Sequence, residues 1–222
     1  MTYTIRVLTP SSRVIPVPEM RAWLQSGYRL EADEARNRGW VRMFLTHANG
    51  QEVAAIERRS RSAVLSGRHT PERQEGGRRS ATVSGNPVEN DIRHFLQQIA
   101  ECRPPSAVQW LQGYLPRIQV IYSFGINNNG VRIGDGWQAL HRLYFGLHRT
   151  LGGVLQADQE GFSNEDGLHI LWQFDEQASG EFEAAVLQEG TWMPFRMDLA
   201  NHDHRKAFQG GRVPEGVEVI GR

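Results

Sequence analysis

Between Arg117 and Phe174 the hydrophobic pattern changes period twice, and this constrains the fold more than any other feature of the chain. Arg117–Ile126 carries Ile118, Val120, Ile121, Tyr122 and Phe124. That is too apolar for a strand with one wet face, so it reads as a central strand covered on both sides. Asn127-Asn128-Asn129-Gly130 reads as a turn. Asp135 then caps a helix, with Gln138 three residues on. Trp137, Leu140, Tyr144, Leu147 and Leu151 recur at helical spacing, and Gly152-Gly153 end the run. Val154–Asp158 reads as a short strand that pairs with Leu168–Phe174 across the acidic loop Gln159–Gly167. The segment is a β-α-β-β unit.

The rest of the chain supplies similar parts. Tyr3–Leu8 reads as a strand, and Pro18–Ser26 as a short helix with Pro18 in its first turn and Gly27 as its stop. Trp40–His47 and Gln51–Arg58 form a hairpin around Ala48-Asn49-Gly50, because Asn-Gly supplies the positive φ angles of a tight turn. Asn86-Pro87-Val88-Glu89 opens a second long helix, with Val88, Ile92, Phe95, Leu96 and Ile99 on one face. Pro104-Pro105 interrupt it, and Ser106–Leu115 continues as a shorter helix. Phe182–Gln188 and Trp192–Asp198 read as another hairpin, and Val217–Ile220 as a last strand.

Both Gly27 and Gly153 follow a helix and lead into Leu-x-Ala-Asp, an echo that suggests two β-α-β-β halves. The expectation is a single α+β domain over 1–222, with a mixed, mainly antiparallel sheet and helices on one face. Residues 60–86 are rich in Gly, Ser and Arg and poor in apolar side chains, and are expected to form a flexible basic loop.

Composition narrows the function classes. The 222 residues carry no net charge, 39 % are hydrophobic, and Cys102 is the sole cysteine. One cysteine excludes an internal disulfide and any multi-cysteine zinc site, and fits a reducing cytoplasm. Cys102 follows an amphipathic helix and reads as a small residue near the core. No apolar run reaches the roughly 18 residues of a membrane span, and the N-terminal residues lack the pattern of a secretory signal.

Charge is unevenly distributed. Residues 58–79 hold seven arginines against Glu72 and Glu75, whereas 154–190 hold nine acids and neither Lys nor Arg.

No nucleophile elbow, phosphate loop or dinucleotide fingerprint occurs, and no cofactor is expected. The acidic loop fails the spacing of a calcium loop. His141 and His148, seven apart on the long helix, read as its polar shoulder, with paired acid–base chemistry as the sharper alternative. His202-Asp203-His204 would present two imidazoles to one side of a strand, but a catalytic metal needs a further ligand, and a solvated loop is the simpler reading.

The pattern leads to a non-enzymatic binding module that meets a basic protein through an acidic surface made of Asp158, Glu160, Glu165, Asp166, Glu181 and Glu183. One concrete form is an immunity- or antitoxin-like inhibitor that covers a basic toxin site. Two alternatives stand beside it. One is a metal-dependent hydrolase using His202 and His204. The other is nucleic-acid binding through Arg58, Arg59, Arg61, Arg78 and Arg79, against which the neutral overall charge and the lack of aromatic residues in that loop weigh.

Overall fold

The computed structural model describes residues 3–35, 39–62 and 86–221. In chain order its elements are β1 (Thr4–Thr9), α1 (Val17–Trp23), β2 (Tyr28–Ala35), β3 (Gly39–His47) and β4 (Glu52–Ser60). There follow α2 (Pro87–Ile99), α3 (Pro105–Tyr114), β5 (Val120–Ile126), α4 (Gly136–Leu151), β6 (Val154–Ala157) and β7 (Gly161–Phe162). The chain closes with β8 (Glu181–Gln188), β9 (Thr191–Asp198), α5 (His202–Gln209) and β10 (Glu218–Val219).

The described strands form a seven-stranded sheet in the order β2-β3-β4-β5-β1-β6-β7 and a three-stranded sheet in the order β10-β9-β8. Every pairing between these strands is antiparallel. The class is α+β, as the sequence pattern indicates.

Side chains alternate across the large sheet because the strand period is two. Val7, Tyr122, Phe124 and Ile56 face one way and pack with Met20 of α1 and Leu140, Leu143 and Leu147 of α4. Leu8, Ile121 and Val154 face the other way, under Val88, Ile92 and Phe95 of α2 and Leu111 of α3. The helices therefore divide between both faces, where the sequence reading gathered them on one. The cause lies in β5, which is apolar at both parities and needs cover on both sides.

Several local expectations hold. Asn86 accepts from the Val88 amide at 2.9 Å and caps α2, and Gly50, with φ +89, turns the first hairpin. Gly152 and Gly153 take positive φ values of 67 and 119 and end α4. At Gly153 a Cβ would fall 2.2 Å from the Leu8 carbonyl oxygen, so a side chain there would push α4 off β1.

Asp135 precedes α4, but its side chain makes no capping bond and instead accepts from Gln25 at 3.4 Å. Both proposed halves have the expected element order, β1-α1-β2-β3 and β5-α4-β6-β7, and their first strands pair at the centre. Their later strands are placed differently. β6 lies beside β1, but β4, not β2, lies beside β5, and β2 ends at the far edge.

Leu168–Phe174 is not a strand paired with β6; that place is taken by β7. The segment instead joins the two sheets. His169 bridges Ser163 on one side and Ala184 of β8 on the other, donating its amide to the Glu183 carbonyl at 3.0 Å and accepting from the Ala185 amide at 2.8 Å. The small sheet packs its inner face, Phe195, Met197 and Val186, against Phe208 of α5.

Candidate functional site

The six acids singled out by sequence fall into two structurally different groups. Asp158 and Glu160 lie on the tight turn between β6 and β7, where the Glu160 amide donates to the Ala157 carbonyl at 3.2 Å. Register places Arg6 of β1 opposite Gln156. From there the Arg6 Nη1 donates to Gln156 Oε1 and, at 2.5 Å, to Asp158 Oδ1. Its guanidinium also lies 5.7 Å from the ring centre of Phe95. Tyr3 donates to Glu160 Oε1 at 2.5 Å, and burial, with the carboxylate beside it, pushes that phenol up. Glu165 accepts from the Tyr114 hydroxyl at 2.8 Å. Asp166 is exposed on the same loop.

Glu181 and Glu183 belong to the second group. On the outer face of the small sheet, Glu183 and Glu218 both register with Arg196, and Glu181 registers with Asp198. Arg196 donates to Glu183 at 3.0 Å and lies 3.5 Å from Glu218. Three exposed carboxylates, Glu181, Glu183 and Glu218, thus lie around one guanidinium, and Asp198, exposed opposite Glu181, accepts from the Ala200 amide at 2.8 Å. Asp198 and Glu218 were not foreseen, although the alternation of both strands could have shown them.

The arginines separate. Arg58 and Arg59 are on β4 rather than in a loop, and as neighbours on a strand they point to opposite faces. Arg59 pairs with Asp91 at 2.9 Å and Glu57 at 3.4 Å, and Arg58 comes near enough to Tyr122 to act on its phenol. The backbone of Arg61 is bonded to Gln119 and Asn86. Arg78 and Arg79, with residues 63–85 of the expected loop, lie outside the described residues.

His202 and His204 are in the first turn of α5, capped by Asn201, and not in an open loop. Two residues apart on a helix, they point roughly 200° from one another and do not converge on one ion. His204 Nδ1 accepts from the Asp198 amide at 3.3 Å. Among the described residues no group of three or more His, Cys, Asp or Glu side chains could hold a metal ion.

His141 and His148 do not act as a pair. His141 stacks on Phe145 at 5.0 Å, while His148 is buried against the Gly153 carbonyl at 3.2 Å, and burial lowers its pKa. Cys102 is half-buried beside the α2–α3 core, its thiol bonded to the Gln98 carbonyl at 3.4 Å.

Around the β6–β7 turn, the residues that sequence reasoning passed over are Tyr3, Arg6 and Gln156. The available signal was Arg6 itself, a charge in the middle of an apolar strand.

None of the described helices is long and apolar enough to cross a membrane. Comparisons with protein-family models, with curated proteins and with solved structures find no match.

Proposed function

We propose that the protein is a non-enzymatic binding module that meets a basic protein partner through the outer face of the β8–β9–β10 sheet. The observation that supports this reading is the exposed set Glu181, Glu183, Asp198 and Glu218, which register brings to one face together with Arg196. A fixed face of one sign attracts a partner of the other and accelerates its docking. Asp158 and Glu160, half-buried and tied to Arg6 and Tyr3, contribute less to such a face. An immunity- or antitoxin-like inhibitor, laid over a basic site on a toxin in the cytoplasm, is the form of partner recognition that suits this surface.

The test compares the natural chain with a variant carrying Glu181→Lys, Glu183→Lys and Glu218→Lys in affinity capture at low and high salt. The expected result is one basic protein retained at low salt, released at high salt and missing from the variant. The same captured set from both proteins overturns the reading.

A further inference from the structure

The inner strands of a sheet covered by helices on both sides are ordinarily apolar on both faces. The face of β4, β5 and β1 toward α4 obeys this rule with Ile56, Tyr122, Phe124 and Val7. The opposite face does so only at one end. At the other end it carries Glu57, Ser123 and Arg6 as cross-strand neighbours, with Ala55, Gly125 and Thr4 in the next row.

These short side chains leave the backbone of three central strands as the floor of a cleft whose wall is Asp91, His94 and Phe95 of α2. The cleft has two compartments, one on each side of the Arg6–Asp158 pair. The smaller, about 270 Å³, holds the charges of Arg6, Glu57, Arg59 and Asp91. The larger, about 830 Å³, is lined by neutral amides, Gln98, Gln156, Gln159, Gln173 and Asn128, together with Tyr3 and Asp158.

We infer that this cleft is a binding site for a short peptide of two or three residues with free ends. The charged compartment alternates in sign, Arg6 and Arg59 against Glu57 and Asp91, which suits a zwitterion better than a simple anion. Among the described residues, the side-chain bonds of Arg6 to Gln156 and Asp158 both leave from Nη1. The rest of its five-donor fork would meet the ligand's carboxylate in two parallel bonds. Glu57 and Asp91 receive the ammonium, sharing their carboxylates with Arg42 and Arg59, to which they are paired in the free protein. Side-chain amides donate and accept at once, so the second compartment, beyond Arg6, suits a polar side chain on the ligand's C-terminal residue. Asp158, Gln156 and Phe95 hold Arg6 in place before any ligand arrives, and such pre-organisation reduces the entropy lost on binding. The volumes fall near the range of small-molecule sites.

Isothermal titration calorimetry with glycylglycine, alanylglutamine and triglycine, each also in N-acetylated and C-amidated form, tests the assignment. At least one free peptide should bind with a millimolar or tighter constant, and blocking either end should weaken it tenfold or more. Arg6→Met should abolish binding. Ala55→Leu, which fills the floor without removing a charge, should do the same and serves if Arg6→Met fails to fold. Heat from none of the peptides, equal binding of blocked forms, or undiminished binding by the Ala55→Leu protein each overturns it. The Glu181→Lys, Glu183→Lys, Glu218→Lys protein should bind peptide normally, so this site and the partner-binding face succeed or fail separately.

Discussion

The β6–β7 turn and the small sheet draw their acids from one base-free stretch of sequence, yet the two groups have different fates. On the turn, Asp158 and Glu160 are met by Arg6 and Tyr3, partners more than 150 residues away in the chain. On the small sheet, Glu183 meets Arg196, its neighbour across a hairpin, and the surplus of carboxylates stays in water. A run of charge in a sequence therefore does not define a surface. What decides is whether the strand that lands beside it carries the counter-charge.

Acid should strain the junction between these regions most. His169 is buried among Phe174, Phe182 and Phe208, and burial depresses its pKa to about 3 from 6.5. The folded protein keeps it neutral, while the unfolded chain takes up a proton below pH 6.5. This contribution to stability is complete above 6.5 and is lost as pH falls toward 3, by about 1.4 kcal/mol per pH unit. Denaturant titrations from pH 7 to 4 should show that slope, and His169→Leu should flatten it. His148, also depressed by burial, acts in the same direction.

Next in size is Arg6→Ala, which strips a half-buried carboxylate of its cation and uncovers Phe95. A loss of about 2 kcal/mol is expected by urea denaturation. The smallest effect is that of Glu183→Gln with Glu218→Gln, which removes two exposed ion pairs. Its midpoint should stay within about 0.5 kcal/mol of the natural protein. Equal losses at Arg6 and at the small sheet would erase the distinction between inward-tied and outward-facing acids.

Much of the fold was legible because its signals are local. The Asn86 cap, the Asn49-Gly50 turn, the glycine stop of α4 and most of its stripe, and the β8–β9 hairpin all depend on residues a few positions apart, although Trp137 of that stripe is exposed and Leu143 takes a buried place in it. α5 was missed although Asn201 is a good cap, because in His202–Gln209 only Ala207 and Phe208 are apolar and no stripe can be seen. The candidate surfaces were half legible. Glu181 and Glu183 needed only alternation, but the neutralisation of Asp158 depends on β1 inserting between β5 and β6. No sequence-local rule encodes that insertion.

The stitch at His169 also determines where the chain can be cut. Its amide and carbonyl are both committed to β8, at Glu183 and Ala185. A fragment ending before Glu181 would retain all seven strands of the large sheet but leave the His169 amide and carbonyl, on the outer edge of 168–171, with no mate. Such an open margin recruits the same margin of another molecule. The shortened protein would therefore lose solubility, the more so because it also uncovers the part of the α2–α3 core that Ala185 and Trp192 cover.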